Sequence, residues 1–396
     1  MRILHTADLH LGQIMYQYYD RVDEHDHYFD QLRTWCSQYR PDALVVSGDL
    51  FDIQQPGAAT KAYFNQTFAA LRRQFPDMAI VITAGNHDSA SRIEADRAVW
   101  ALSGVTLVGQ QPAIVRLPSG YIIAVPYMAV HRSEVLQQLL DHVALENDEQ
   151  LPVVLMDHLA VSGSDCTGHS DIGTLKTVAP SELGSGYDYA ALGHIHRPQT
   201  LGAPLGDESE PASSYPAPVI RYSGSPLHVS CDEQYPHSVS LVDLPAHGAD
   251  ITIQRLRIDE LRHFYTLPQA GAPAAQSADE VLLSITEFCN NHDKGYLRLR
   301  IDSAAALPSD FQQNIYKMLE LTHNEVRYNP NVIWENQRTA DAEPQQQPTF
   351  EVAELQQMTD PLNFIRKIID QYPNLELAQL EADFDEVERM LKTIES

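Results

Sequence analysis

Short apolar runs alternate with longer amphipathic runs through the first hundred residues, and this alternation constrains the fold more than any other feature of the sequence. Apolar runs at 3–7, 43–47 and 79–84 are each followed by a helix-like run, at 20–38, 57–75 and 89–102. A strand followed by a helix, repeated three times, is typical of a parallel sheet covered by helices. We therefore expect an α/β fold that begins with three strands of a parallel sheet.

Beyond residue 105 the strand-like runs lie closer together, which indicates β-hairpins and a second sheet. The predicted strands are 105–108, 113–117, 121–125, 153–156, 189–192, 220–223, 238–242 and 251–257. We expect an α/β sandwich in which two sheets face each other and helices flank them. The acidic segment 203–218 carries four prolines and is predicted to be a loop.

The C-terminal third has a different organisation. Residues 277–334 read as an α-β-α-β unit, so we predict a first domain over 1–264 and a small α+β domain over 265–338. A Gln- and Pro-rich stretch at 339–349 is predicted to be a linker before a helical tail at 350–396. In the last helix of that tail the apolar residues recur at steps of three and four, which is typical of a coiled-coil seam: Leu377, Leu380, Phe384, Val387, Leu391 and Ile394. The pattern fits helices that pack on each other or on the body, but the polar linker favours docking to a partner.

Composition excludes several classes of protein. The 396 residues carry 27 Lys and Arg against 54 Asp and Glu, and the net charge of −27 argues against a broad basic surface for nucleic acid. The four cysteines are too far apart for a zinc knuckle or a redox motif. No apolar run is long enough to cross a bilayer and no leader is visible, so we expect a cytoplasmic protein without membrane attachment.

Side chains of metal-ligating types follow five of the predicted strands. They are Asp8, His10, Asp49, Asn86, His158, His194 and His196. Ligands of α/β sheets bind at the carboxyl ends of strands, so we expect these side chains to converge. Carboxylate, amide and imidazole donors without thiolate fit Mn²⁺, Fe²⁺, Zn²⁺ or Mg²⁺. Seven donors are too many for one tetrahedral ion, but with Asp49 as a bridge they supply two ions, an arrangement that activates water for attack on a phosphate ester.

Other residues near these motifs are candidates for supporting roles. His87 follows Asn86 and is expected to project over the metals as a general acid, with Asp88 as its supporting partner. Gly48, Gly85 and Gly193 adjoin the predicted ligands, where sharp or positive-φ turns are expected. Two candidate phosphate contacts are Asp52 and Arg92. The sequence has no Gly-x4-Gly-Lys-Ser/Thr loop, so we expect no ATP site in this chain.

Together the motifs resemble the signature of the calcineurin-like metallophosphoesterases: Asp-x-His at 8–10, Gly-Asp at 48–49, Gly-Asn-His-Asp at 85–88, a later His158 and Gly-His-x-His at 193–196. The surrounding residues are similar to one branch, the nuclease subunits of SbcD type that belong to bacterial SbcCD complexes. This similarity rests on His-Thr-Ala-Asp-Leu-His-Leu-Gly at 5–12, Gly-Asp-Leu-Phe-Asp at 48–52 and Tyr-Ser-Gly-Ser-Pro at 222–226.

The resemblance implies a ligand set and an assembly. One ion would be held by Asp8, His10, Asp49 and His196, and the other by Asp49, Asn86, His158 and His194, with Mn²⁺ as the preferred metal. His87 matches the family's catalytic histidine, and 265–338 its capping domain. Residues 350–396 match the element that grips an SbcC-like coiled-coil ATPase, and a homodimer within a heterotetramer is expected. Other branches carry a phosphate-contacting histidine where this chain has Asp52, which leaves its role open.

The function expected from the resemblance is a Mn²⁺-dependent DNA exonuclease and endonuclease subunit. It would cleave DNA ends and hairpins together with the SMC-like ATPase in DNA recombination, replication and repair. Two alternatives stay open at this point. One is a stand-alone metallophosphodiesterase acting on small nucleotides, and the other is a catalytically inactive scaffold of the complex. The acidity of the chain then means that bound metals and a partner must help to hold the DNA.

Overall fold

The computed structural model describes residues 1–130, 133–167, 176–204, 212–269, 271–322 and 325–335. The predicted linker at 339–349 and the predicted docking tail at 350–396 lie outside the described residues. Within the described ranges, no helix is long and apolar enough to cross a membrane.

The described residues form six α-helices and 21 β-strands. The helices are α1 (Val22–Tyr39), α2 (Ala58–Gln74), α3 (Ala90–Ala101), α4 (Ser133–Glu146), α5 (Ala278–Asn291) and α6 (Phe311–Thr322). The strands are β1 (Arg2–Thr6), β2 (Ile14–Met15), β3 (Tyr19–Asp20), β4 (Ala43–Ser47), β5 (Ala79–Thr83), β6 (Val105–Val108), β7 (Ala113–Leu117), β8 (Gly120–Ala124), β9 (Val153–His158), β10 (Ala160–Val161), β11 (Thr177–Val178), β12 (Tyr189–Gly193), β13 (Gln199–Thr200), β14 (Ala212–Tyr215), β15 (Val219–Tyr222), β16 (Ser238–Asp243), β17 (Ile251–Arg257), β18 (Phe264–Leu267), β19 (Lys294–Asp302), β20 (Glu325–Tyr328) and β21 (Ile333–Glu335).

Two large sheets contain most of these strands. The first has the order β14-β17-β16-β1-β4-β5-β6, and the second has the order β13-β15-β12-β9-β8-β7. Strands β1, β4, β5 and β6 run parallel, as do β15, β12, β9 and β8. The carboxyl ends of the parallel strands therefore meet at one edge of each sheet.

Alternating side chains show that the two sheets face each other. Val45 of β4 and Val81 of β5 pack in one apolar cluster with Ile122 of β8 and Val154 of β9. The intervening Leu44 points the other way, into a cluster that includes residues of the first three helices. Because successive side chains of a strand point to opposite faces, the first sheet packs on the second with one face and on helices with the other. The predicted two-sheet sandwich is confirmed.

Helix α4 covers the outer face of the second sheet and was not predicted. Its buried residues Leu136, Leu140 and Val143 recur at steps of four and three, and they pack against β8 and β9 through residues such as Ile123 and Leu155. This spacing is the signal of an amphipathic helix.

The prediction of a loop over 203–218 was wrong in part. Strand β14 lies inside it, at the edge of the first sheet, and pairs antiparallel with β17 so that Ser213 lies opposite Ile253. In the sequence Pro211 precedes this strand and Pro216 follows it, so neither proline lies inside it. Prolines in sheets are found on edge strands, at strand starts and at bulges, so prolines that bracket a run are compatible with an edge strand.

Residues 264–335 form an α/β unit with its own parallel sheet and core. The sheet has the order β18-β19-β20, with β21 also paired to β19. Its core includes Ile285 of α5, Leu297 of β19 and Ile315 of α6. The four predicted elements of 277–334 are present, and β18 and β21 complete the sheet. The domain boundary at 264/265 stays a prediction.

A buried ionic cluster joins this unit to helix α1. The carboxylate of Glu24, 2% exposed, accepts a 2.7 Å hydrogen bond from the Tyr296 hydroxyl. The guanidinium groups of Arg262 and Arg327 each lie 3.5 Å from the same carboxylate. Removing one partner of a buried ion pair leaves an uncompensated charge, which is strongly destabilising. The cluster therefore fixes how the α/β unit sits on the sandwich.

Candidate metal centre

The strand-end side chains predicted as ligands come together at the carboxyl edge of the two sheets. Asp8 and His10 follow β1, Asp49 follows β4 and Asn86 follows β5, all in the first sheet. From the second sheet, β9 ends at His158, and His194 and His196 follow β12. The hydroxyl of Ser47 donates a 2.8 Å hydrogen bond to the Ala191 carbonyl and ties the two edges together.

Two groups of donors stand out. Asp8, His10 and His196 each offer one donor atom, and these atoms lie within 4.8 Å of one another. Asp49, His158 and His194 form a second group by the same measure.

Further donors adjoin both groups. The amide oxygen of Asn86 lies 2.8 Å from Nε2 of His158, so it adds a donor to the second group. A further group of His10, Asp52 and His87 shares His10 with the first.

Asp49 lies between the two main groups. Its Oδ2 is 3.3 Å from Nε2 of His158 and 3.9 Å from Nε2 of His10. Burial, the largest single effect, raises the pKa of the Asp49 carboxyl, but the neighbouring imidazoles, His158 first and then His10 and His87, together hold that pKa below its usual range. The position fits a carboxylate that bridges two cations, and the bridging role stays a prediction.

Hydrogen bonds to Nδ1 orient two of the imidazoles. Nδ1 of His158 donates to the Ser47 carbonyl over 2.9 Å, which leaves the Nε2 lone pair for a cation. Nδ1 of His196 is 2.7 Å from Oε1 of Glu233. A metal-binding histidine usually donates its other ring N–H to a carboxylate or a carbonyl. Both rings therefore have the hydrogen bond that is typical of a metal-binding histidine.

His10 provides the clearest test of whether the residues fit a metal. It is 2% exposed, and its ring nitrogens face carboxylates without a well-formed hydrogen bond among the described residues: Nδ1 lies 3.3 Å from Asp52 and Nε2 lies 3.9 Å from Asp49. Burial also raises the pKa of the nearby Asp8 carboxyl, because a carboxylate charge is unfavourable away from water. Divalent cations would provide a partner for the imidazole and compensate the buried carboxylates. Carboxylate, amide and imidazole donors without thiolate fit such ions.

The backbone at several predicted ligands is held in the left-handed region. Asp8, His10, Asp49 and His194 have φ values of 54°, 45°, 45° and 92°. Such residues cost about 1–3 kcal/mol each and persist where the surroundings fix them. Here the fixing bonds include His10 N–H to the Asp49 carbonyl, 3.0 Å, and His194 N–H to the Asp8 carboxylate, 2.9 Å.

The glycines of this edge are required for two different reasons. Gly48 has a φ of +81°, and a Cβ there would also lie 2.0 Å from Nδ1 of His158. Sharp or positive-φ turns were expected at all three glycines, and Gly85 and Gly193 are not among the residues with positive φ. A Cβ at Gly85 would lie 2.1 Å from Oδ1 of Asp49, and one at Gly193 would lie 1.8 Å from the Ser47 carbonyl oxygen. Close approach, not φ, therefore requires glycine at the last two positions.

Comparison with known proteins now adds to this geometry. The model of the calcineurin-like phosphoesterase family matches residues 1–198, which is half of the chain and includes all seven predicted ligands. The chain belongs to this family. Its two-sheet sandwich with flanking helices is the fold on which the phosphoesterase site is built.

Curated relatives include nuclease subunits. The chain is 32% identical to the D subunit of nuclease SbcCD from Bacillus subtilis (strain 168), over 61% of this chain and 66% of the relative. It is 31% identical to the D subunit of nuclease SbcCD from Escherichia coli (strain K12), over 61% of this chain and 65% of the relative. The matched region thus spans just under two thirds of these relatives. A solved structure, a dimetal phosphatase from Danio rerio, is 14% identical with a TM-score of 0.39, and covers 64% of this chain and 98% of its own.

In this phosphoesterase, His87 lies at the exposed rim of the centre. Its backbone N–H donates to Oδ1 of Asp49 over 2.8 Å, and its Nδ1 donates to the Asp52 carbonyl over 2.8 Å. The His87 ring meets the His10 ring edge-on, with centroids 4.9 Å apart. Because Nδ1 carries the proton of the hydrogen bond, Nε2 is the atom that can exchange a proton with a substrate.

Asp88 occupies a different position from the one predicted. Its buried carboxylate accepts hydrogen bonds from the backbone N–H groups of Gly85, Leu50 and Phe51, at 2.8, 3.0 and 2.9 Å. In the described part of the chain, no hydrogen bond joins it to the His87 ring. Burial, and then the charge of Asp49, raise the pKa of Asp88 to about 6. These contacts tie the loop after β4 to the loop after β5 and favour a role for Asp88 in positioning these loops, while its support of His87 stays a prediction.

The two candidate phosphate contacts have different surroundings. The carboxylate of Asp52 is 3.3 Å from Nδ1 of His10, and its carbonyl holds His87, so its contacts favour a supporting role. Arg92 is exposed on α3 and lines a separate hollow with Gln54 and Lys61. The structure does not bring Arg92 into either donor group, and a phosphate contact there stays a prediction.

Glu233 is a supporting residue that no sequence pattern predicted. Its carboxylate is 1% exposed, holds Nδ1 of His196 and accepts a 2.9 Å hydrogen bond from the Val229 N–H. It lies 37 positions from His196 and follows no predicted strand. A single acidic residue in a polar loop gives no pattern from which this contact could be predicted.

Proposed function

We propose that this chain is the metal-dependent nuclease subunit of an SbcCD-type complex and hydrolyses phosphodiester bonds of DNA. The observation that carries the proposal is the pair of donor groups at one sheet edge, Asp8 with His10 and His196, and Asp49 with His158 and His194. Family membership supports phosphoester hydrolysis, and relatives named as D subunits of nuclease SbcCD support DNA as the substrate.

In this proposal the donor groups bind the metals and His87 transfers a proton. The two donor groups, with Asn86, hold two divalent cations, for which we propose Mn²⁺. When bound, such cations stabilise the charge of the phosphate and activate a water molecule. Nε2 of His87 protonates the leaving oxygen, while the Asp52 carbonyl keeps the other ring proton on Nδ1. General acid catalysis of this kind contributes about 10²–10⁴-fold.

The acidity of the chain supports the proposal that a partner protein helps to bind DNA. With a net charge of −27, the chain lacks the excess of Lys and Arg that gives salt-dependent affinity for the DNA backbone. We propose that an SbcC-like coiled-coil ATPase, docked through residues 350–396, supplies that surface. The homodimer within a heterotetramer is part of the same proposal.

Cleavage of hairpin-ended duplex DNA in Mn²⁺ tests the activity. The wild type is compared with His87→Ala, alone and with the ATPase partner and ATP. We expect cleavage by the wild type and a loss of about 10²–10⁴-fold in His87→Ala, with equal Mn²⁺ content in both. Hydrolysis of a small phosphodiester without any cleavage of DNA would favour the small-molecule phosphodiesterase. No hydrolysis of either substrate would favour the scaffold.

Deletion of 350–396 tests the docking proposal. The shortened chain is expected to lose co-purification with the ATPase and to keep Mn²⁺-dependent hydrolysis of a small phosphodiester. If both are lost, the tail is part of the fold and not a docking element.

A further inference from the structure

A cleft of about 550 Å³ opens beside the metal centre. Asn86, His158 and His194, all from the second donor group or next to it, form part of its lining. Because ligands line the cleft, a phosphate at the centre has one of its two ester substituents close to the cleft. The rest of the lining therefore bears on what that substituent can be.

Most of the remaining lining is apolar. Among the described residues it includes Tyr127, Met128, Val130 and Leu159. The side chain of Asp157 also belongs to the lining, but this residue is only 2% exposed. This apolar part of the lining suits the flat face of a base.

Tyr127 is the aromatic residue of this wall, and its backbone is fixed. It follows β8, and its N–H donates a 2.8 Å hydrogen bond to the carbonyl of Ala84, next to the loop that carries Asn86. The Tyr127 ring meets the His158 ring edge-on, with centroids 6.1 Å apart, and the residue keeps 38% of its surface exposed. A positioned, partly exposed ring is a platform on which an unpaired base can stack.

Among the described residues of the lining, Lys176 is the cationic side chain. It is exposed and lies beside Thr177 and Val178 of the same wall. In a chain with a net charge of −27, a lysine among apolar walls is a local attraction for an anion. An apolar platform next to one ammonium group matches a nucleotide, which has a flat base and a neighbouring phosphate.

We propose that this cleft binds the base of the nucleotide next to the scissile phosphate, stacked on Tyr127, with Lys176 facing the adjoining phosphate. This inference rests on the proposed function, since it takes DNA as the substrate. It also requires the base to leave the helical stack, which is less costly at frayed, mismatched or single-stranded sites than within a duplex. Tyr127 is then a determinant of specificity at this centre.

A comparison of two substrates tests the base site. They are a short oligothymidylate and the same backbone with abasic residues, and kcat/KM is measured in Mn²⁺ for each. Loss of one stacked base corresponds to a change of about 5- to 150-fold. We expect the wild type to prefer the base-bearing substrate by a factor in that range, Tyr127→Ala to lose the preference, and Tyr127→Phe to keep it.

Controls separate this result from misfolding. Leu145→Ala, at a residue 82% exposed on α4, is expected to keep the wild-type preference. Mn²⁺ content and the thermal midpoint of Tyr127→Ala are measured alongside. A Tyr127→Ala enzyme that still prefers the base-bearing substrate as the wild type does would overturn the base site but leave the nuclease intact. A wild type that hydrolyses a small phosphodiester and neither oligonucleotide, even with the ATPase partner and ATP present, would overturn the proposed function, and the base site with it.

Discussion

Replacing Asp88 by alanine tests whether this residue positions the metal-binding loops. The carboxylate accepts three backbone hydrogen bonds, from Gly85, Leu50 and Phe51, and the residue is 6% exposed. An alanine leaves three N–H groups without their acceptor, and each such buried group costs about 1–3 kcal/mol. Three such groups set the loss at about 3–9 kcal/mol, and local relaxation that lets water reach them places it in the lower part of that range. We therefore expect the free energy of unfolding to fall by about 3–5 kcal/mol.

Urea denaturation in the presence of EDTA measures this change. The chelator removes bound metal, which would otherwise stabilise the folded state by mass action. A pH of about 8 keeps the carboxyl ionised, since its pKa is about 6. Ser91→Ala, an exposed site on α3, is the matched control, and we expect it to change stability by less than about 0.5 kcal/mol.

Hydrolysis and Mn²⁺ content, measured on the same variants without the chelator, complete the test and can refute the positioning role. If the free energy of unfolding of Asp88→Ala lies within about 1 kcal/mol of the wild-type value but hydrolysis is lost, the residue acts in the reaction itself. The positioning role inferred from its three hydrogen bonds is then wrong. If stability falls and Mn²⁺ content falls with it, the loops depend on this carboxylate for their arrangement.

Three further predictions concern residues around the centre. Glu233→Gln is expected to weaken Mn²⁺ binding about 10- to 100-fold by titration calorimetry, because it removes the carboxylate that orients His196; unchanged affinity would refute the orienting role. Gly48→Ala is expected to lower the thermal midpoint and the Mn²⁺ content together, since its φ is +81° and a Cβ lies 2.0 Å from His158; a normal midpoint would contradict the close approach. Burial lowers the pKa of His5 to about 3, so the folded chain binds fewer protons than the unfolded chain between that value and about 6.5. Stability therefore falls on acidification through this window, and His5→Gln is expected to reduce the loss between pH 7 and pH 5 by about 2 kcal/mol; an unchanged loss in urea denaturation would refute it.

The periodicity of the chain predicted much of the fold because strands and helices leave local patterns. The strands β1, β4 and β5 and the unit around β19 follow directly from apolar runs and their spacing. Strand β14 was missed because two prolines bracket it and its residues are Ala, Ser and Tyr, which carry little apolar signal. Helix α4 has clear amphipathic spacing at Leu136, Leu140 and Val143, so that signal was present and was overlooked.

In the candidate site, too, the residues that follow local sequence patterns could be predicted, and the contacts between distant loops could not. Predicted ligands such as Asp8 and His194 follow strands, and parallel strands bring their carboxyl ends to one edge. The contact of Glu233 with His196 and the three bonds of Asp88 depend on how loops pack, which no local pattern specifies. For this reason Asp88 was predicted to support its neighbour His87, whereas its hydrogen bonds are with backbone N–H groups.

The number of Mn²⁺ ions bound per chain tests the central claim most directly. Equilibrium dialysis and metal analysis are applied to the wild type, His10→Ala and His194→Ala, with His142→Ala, an exposed histidine of α4, as the control. Two donor groups predict about two ions in the wild type and in the control, and fewer in each of the other variants, with DNA cleavage lost in both. A wild type that binds no Mn²⁺, or a His10→Ala variant that binds as much as the wild type, would contradict the metal centre on which the proposed nuclease depends.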